Sequence, residues 1–231
     1  MSSHQQIYRN QTEAYEFMIG RQPSMLPFIN DIHSVKGLDV LDLGAGSGRI
    51  SSVIAKDAKS LICTDASAEM LELLDRKLTE QGIERNWKTI VADHRSLPIP
   101  DDSVDLVVSG WSICYLADSD DGEWANHLRQ VMAEIRRVLR PGGSVIIFET
   151  MGTGTETPNP PDFLASYYAA LEKEYGFEHK WTRLDYDFDN VEQAKDCTGF
   201  FFGEELTRKI EERKWATVPE CAGIWWKTYN G

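Results

Sequence analysis

Between residues 38 and 149, short apolar, β-branched runs alternate with longer stretches in which apolar residues recur every three or four positions. The short runs are residues 38–43 (LDVLDL), 60–65 (SLICTD), 87–92 (WKTIVA), 104–109 (VDLVVS) and 144–149 (SVIIFE). Such alternation predicts crossover units on a parallel sheet. Helices are predicted at 48–57, 67–81 and 127–139. The second opens with Ser67 as N-cap, carries Met70, Leu71, Leu74 and Leu78 at core spacing, and ends at Gly82. The third turns Val131, Ile135, Val138 and Leu139 inward until Pro141-Gly142-Gly143 stops it and leads into the last parallel strand. No repeat period is present.

After Glu149 the texture changes. Residues 152–161 (GTGTETPNPP) suit neither a central strand nor a helix interior and are expected to form a mobile loop. A Tyr-rich helix at 163–175, a strand at 180–188, one or two helices at 190–213 and a final strand at 224–228 follow, and a helix at 13–19 precedes the sheet. With 231 residues, a single domain is the expectation.

Charge narrows the function. Asp and Glu outnumber Lys and Arg by 37 to 24, a net charge of −13, which repels a phosphate backbone and favours a neutral or cationic small molecule over nucleic acid. Cys63, Cys114, Cys197 and Cys221 form no CxxC or Cys/His cluster, so neither disulfides nor a metal site is expected. The first residues show no basic stretch followed by an apolar run, and no eighteen consecutive residues are apolar; a cytoplasmic protein without a membrane segment is expected. Oligomeric state is not legible.

The strongest local signal is LDLGAGSGR at 41–49, a strand running into a glycine turn and a helix start. Glycines there permit backbone angles closed to other residues and let a ligand approach without a Cβ in the way. Asp65, about twenty residues on at the end of the second strand, can accept from both hydroxyls of a ribose, or cap the helix opening near Ser67. Asp93, ending the third strand, can accept from an exocyclic amine, or serve as a turn residue. A nicotinamide-dependent dehydrogenase would need a third glycine where Arg49 stands, and no GK[ST] follows for a phosphate loop.

Taken in order, LDLGAGSGR, TDASAEML, VADHRSLPIPDDSVDLVVSG and IRRVLRPGGSVIIFE resemble the core of the class I S-adenosylmethionine-dependent methyltransferases, small-molecule branch, over residues 37–150. The remainder resembles the family in arrangement, with DYDFDN, FFFG and IWWKT where the sixth and seventh strands and their connection belong. The resemblance implies an α/β, Rossmann-like doubly wound fold: a seven-stranded, mostly parallel sheet with an antiparallel last strand and a helical cap. It divides the chain into an N-terminal helical segment (1–36), a cofactor-binding core (37–150), a substrate cap (151–180) and C-terminal elements completing the sheet (181–231).

It also implies S-adenosylmethionine as cofactor. Gly44, Ala45 and Gly46 would lie against its methionyl part, with Asp42 supporting the turn. Asp65 would hold the ribose, Ala66 and Met70 would pack on the adenosine, and Asp93 with the amide of His94 would contact adenine. Ser109, Gly110 and Trp111 would face the methionine tail and methyl group, and Tyr15 or Tyr8 could close over the cofactor. The implied reaction is methyl transfer to an N, O, S or C atom of a small molecule, with a protein or RNA acceptor or a nicotinamide-dependent dehydrogenase as alternatives. No catalytic base is assigned; Glu149, His94 and His179 are candidates, and Tyr167, Tyr168, Tyr175 and Trp181 mark the cap.

Overall fold

The computed structural model describes residues 12–230. Its main sheet has seven strands in the order β3-β2-β1-β4-β5-β9-β6, mostly parallel with an antiparallel strand. β1 (Asp39–Leu43), β2 (Ser60–Asp65), β3 (Trp87–Val91), β4 (Val104–Gly110) and β5 (Leu139–Thr153) are parallel neighbours, in register from Asp39↔Ser60 and Val40↔Leu106 outward. β1 is wholly buried, as a strand covered on both faces must be. β6 (Glu178–Arg183) and β9 (Glu220–Thr228) complete the sheet. Because β1 and β4 are adjacent while the chain runs from β1 to β2 on one side and returns to β4 on the other, the order reverses at the C-terminal end of β1. Open α/β sheets bind ligands at such a point.

The helices are α1 (Thr12–Ile19), α2 (Leu26–Ile32), α3 (Ser51–Ile54), α4 (Ala68–Glu80), α5 (Trp124–Val138), α6 (Ala165–Lys173), α7 (Val191–Phe202) and α8 (Glu204–Arg213). α4 begins and ends as its sequence dictates: the Ser67 hydroxyl accepts the Met70 amide at 3.2 Å, and Gly82 takes a positive φ just beyond the C-cap.

Several elements differ from the sequence reading. α3 starts three residues later than expected, since the glycine turn continues through Gly48. β5 starts at Leu139 and absorbs Pro141-Gly142-Gly143 as an irregularity: Val104 pairs with Leu139 but Leu106 with Ser144. It also runs on to Thr153, and the loop after it is pinned, Gly154 N–H donating to the Pro219 carbonyl at 2.7 Å and Asn159 N–H to Met151 at 2.6 Å. DYDFDN supplies no strand of the main sheet; Tyr186–Asp187 (β7) pairs antiparallel with Thr217–Val218 (β8) in a separate ladder.

The chain divides into two compact units. One comprises residues up to Ser24, Thr150–Pro160 and Trp181–Ala222; the other comprises Met25–Glu149, Pro161–Lys180 and Gly223 onward. The first has its own core of Met18, Ile19, Tyr186, Phe188, Ala194, Leu206, Ile210 and Val218. The second holds β1 to β4 and the glycine turn.

Candidate cofactor site

β1 delivers the chain into the turn at Gly44, Gly46 and Gly48, where Gly44 and Gly46 hold φ of +79° and +52°. The three glycines serve different ends. A Cβ on Gly44 would stand 1.8 Å from Ser112 Oγ, and one on Gly48 2.4 Å from Leu74 Cδ1, whereas one on Gly46 would meet nothing within 4 Å. Gly44 and Gly48 therefore make room for protein, and Gly46 faces open space. Gly48 also provides the close approach to α4 that a dinucleotide fold assigns to a glycine one position later, at Arg49.

Asp65 ties this turn to the next helix. Its Oδ2 accepts the Gly46 N–H and its Oδ1 the Ser67 N–H, both at 2.9 Å. Ala66 beside it is exposed and Met70 is buried. Beneath the turn, Asp42 is buried and its Oδ2 accepts the Ser51 hydroxyl at 2.5 Å, fastening the start of α3. Burial pushes the Asp42 carboxyl up to about 7, with the Ser51 bond opposing. The Cys63 thiol, 3.2 Å from Ser51 Oγ, is likewise pushed up by burial.

The end of β3 is arranged otherwise than the strand pattern suggests. Arg95 grips Asp93 through Nε at 2.9 Å and Nη2 at 2.6 Å, and its N–H adds a bond at 2.8 Å. That hydrogen-bonded pairing holds the carboxyl at about 2 on the exposed side. The side chain delivered to the glycine turn is instead His94, 8% exposed, with Nε2 2.7 Å from Ser112 Oγ. Burial lowers its pKa, and Nδ1 has no partner among the described residues.

At the end of β4, Ser109 donates its hydroxyl to the Leu43 carbonyl at 2.8 Å, and Gly110 leaves room for Ile50, whose Cδ1 would lie 2.7 Å from a Cβ. Trp111 then adopts φ +51°, a conformation costing of order 1–3 kcal/mol for a bulky residue. It is held by its N–H on the Phe148 carbonyl at 2.8 Å and by the Arg49 guanidinium 3.4 Å from its ring centroid. A 3₁₀ turn at Ile113–Tyr115 follows.

Glu149 lies under that turn. Fully buried, it accepts the Cys114 N–H at 3.0 Å and the Tyr167 hydroxyl at 3.3 Å on Oε1, while Oε2 has no partner among the described residues. Burial raises its carboxyl to about 7. His179 is elsewhere: its ring stacks on Trp225 at 4.3 Å, with Nδ1 3.5 Å from Glu172 Oε1. β6, which carries it, stands four strands from β1, about 19 Å away at ~4.8 Å per strand. Tyr168 covers Trp225 at 4.5 Å. Tyr15 packs on Phe201 at 5.5 Å within the first unit, where Trp181 also lies, and Tyr8 falls outside the described residues. No group of three or more His, Cys, Asp or Glu able to hold a metal occurs among the described residues.

Sequence pattern brought Gly44, Ala45, Gly46, Asp42, Asp65 and His94 to one place, but not Ser112, Ser51 or the Arg49–Trp111 stack. The close approach expected at Gly44 was that of a ligand; the group that makes it is Ser112. A positive φ at Trp111 leaves no trace in residue type.

Residues 41–147 match the family described as Methyltransferase domain. A demethylmenaquinone methyltransferase of Lactobacillus johnsonii is 34% identical over 113 residues, 48% of this chain and 43% of the relative. The chain thus spans less than half the length of that curated relative. Among solved structures, an S-adenosylmethionine-dependent methyltransferase from Aquifex aeolicus matches at TM-score 0.58 and 15% identity, covering 93% of this chain and 96% of that one. A phosphoethanolamine N-methyltransferase of Haemonchus contortus, solved with S-adenosylhomocysteine, matches at TM-score 0.63 and 18% identity, covering all of this chain and 61% of that one. The glycine turn and the strand-order reversal thus fall within a stretch, residues 41–147, that is similar to a methyltransferase domain, on a sheet that shares its fold with S-adenosylmethionine-dependent methyltransferases.

Proposed function

We propose that this protein transfers a methyl group from S-adenosylmethionine to an N, O, S or C atom of a small molecule by in-line displacement. The observation that carries the reading is the open face of Gly46 beside Asp65, at the point where strand order reverses in a matched methyltransferase domain. These residues fit the cofactor: a backbone without Cβ for its methionyl part, and a half-buried carboxylate for ribose hydroxyls. When bound, that group supplies the sulfonium methyl as electrophile. The chain's own task is to orient and to exclude water, which can lower a barrier by on the order of 7–11 kcal/mol without covalent catalysis.

Trp111 and Arg49 wall the methyl end, and Glu149 offers a buried carboxyl in the same region to an acceptor that must lose a proton. A small acceptor fits the net charge of −13 better than RNA. The names of the relatives make a quinone-type ring and a primary amine the first acceptors to try.

Calorimetric titration with S-adenosylmethionine, S-adenosylhomocysteine and NAD, on the wild type and Asp65→Ala, tests the cofactor. Saturable binding of the first two, at least tenfold weaker in the variant, is the expected result (about 1.4 kcal/mol or more). NAD binding alone would overturn the reading. Formation of S-adenosylhomocysteine with demethylmenaquinol or phosphoethanolamine, set against bulk RNA and a protein mixture, then sorts the acceptor classes.

A further inference from the structure

The glycine turn, the loop after β3 and the turn after β4 meet at Gly44. Ser112 Oγ and Cβ stand 1.8 and 2.4 Å from where a Gly44 Cβ would be, and His94 Nε2 stands 3.1 Å from it. Behind the turn, the N–H groups of Gly44 and Ala45 both donate to the Thr64 carbonyl at 2.8 Å. Gly44 is thus gripped between β2 and Ser112, and the Ser112 hydroxyl is in turn held by His94 Nε2 at 2.7 Å. His94 is itself buried, so the hydroxyl is anchored to a side chain with little freedom to move.

We propose that His94 is a positioning residue for the cofactor: by hydrogen bonding Ser112 Oγ it seats Ser112 on Gly44 and fixes the turn from which Gly46 meets the ligand. This rests on the methyltransferase reading of the site. Binding to a turn already in its bound geometry avoids the cost of ordering it. Without the bond, Ser112 can rotate off Gly44, the loops after β3 and β4 are no longer joined, and the turn must be ordered when the cofactor arrives. The bond needs one proton between imidazole and hydroxyl: Nε2–H donates it in one neutral tautomer of His94, and the Ser112 hydroxyl donates to a bare Nε2 in the other. Glutamine at 94 can place an amide atom where Nε2 stands; leucine keeps the bulk without the polar atom.

Titration calorimetry with S-adenosylhomocysteine on the wild type, His94→Gln, His94→Leu, Ser112→Ala and the double variant combining His94→Leu with Ser112→Ala tests this, with thermal melts confirming that each folds. His94→Leu and Ser112→Ala should each raise Kd about tenfold, the double variant should be no weaker than the worse single within about twofold, and His94→Gln should stay within about threefold of wild type. Additive losses, a His94→Gln as weak as His94→Leu, or a Ser112→Ala with wild-type Kd would overturn the proposal. Should the leucine variants fail to fold, Ser112→Ala and His94→Gln decide alone. A wild type that does not bind S-adenosylhomocysteine overturns the methyltransferase reading and this proposal together; a binding wild type with unresponsive variants overturns this proposal alone.

Discussion

Two glycines separated by one alanine do different work, and substitution should separate them. Alanine at 44 would place its methyl on Ser112 Oγ in addition to the cost of a positive φ. Gly44→Ala should therefore destabilise the fold by more than the ~1 kcal/mol expected of the backbone term. Alanine at 46 meets no protein atom, so Gly46→Ala should melt within a few degrees of wild type yet bind S-adenosylhomocysteine more weakly, its methyl standing on the face proposed for the cofactor. Melts and titrations of both variants check this; equal melting losses would count against it.

Glu149 carries a pH signature. Its folded carboxyl lies at about 7 against an ordinary 4.5, so folding favours the protonated form. The associated stability is complete below the ordinary value and is lost as pH rises toward about 7, an effect of about 3 kcal/mol. Glu149→Gln should accordingly narrow the gap between melting temperatures at pH 5 and pH 8. Asp42, shifted the same way, retains its share. An unchanged gap in the variant would show that Glu149 does not titrate in this interval.

At the scale of elements, what could be read from the sequence was what local chemistry decides. β1, β2 and β4 announce themselves because strands covered on both faces carry continuous apolar runs, and α4 because Ser67 and Gly82 punctuate it. α2 escaped notice: Pro27 followed by Asn30 and Asp31 resembles a turn, although proline is at home in a first helical turn. The long β5 hid because Pro141-Gly142-Gly143 reads as a terminator, whereas the sheet accommodates it by a register shift that only the neighbouring strand defines. At the site, the glycine pattern put a ligand against Gly44, whereas it is Ser112 that stands where a Gly44 Cβ would be, a contact made through tertiary packing alone. Gly203, joining α7 to α8, holds φ +83° and ψ −176°, a region essentially reserved to glycine. Gly203→Ala meets no atom within 4 Å, so its expected loss, on the order of 1–3 kcal/mol, is purely conformational and would appear in a denaturant titration as a lower midpoint at unchanged slope.

For the whole molecule, the relevant feature is a unit built from three stretches of chain. Met18 and Ile19 of α1 enter a core otherwise supplied by residues 186–218. Removing residues 1–24 should loosen that core around Trp215, which packs against it, and a loss of near-ultraviolet dichroism with the main sheet's far-ultraviolet signal retained would show it. No helix among the described residues is long and apolar enough to cross a membrane.

The same interleaving sets a schedule for synthesis. As the ribosome makes the chain from its amino end, α1 emerges before the segments it must join, which extend to Ala222. Its apolar residues therefore wait while the stretch up to Ala222 is translated, and at ~5–20 residues per second that delay is on the order of ten seconds or more. Throughout that interval Met18 and Ile19 lack their native neighbours and are open to chaperones. β1 to β4 have no such wait, since all four are made by Gly110, although the unit that holds them is likewise complete only once Gly223 onward has been added.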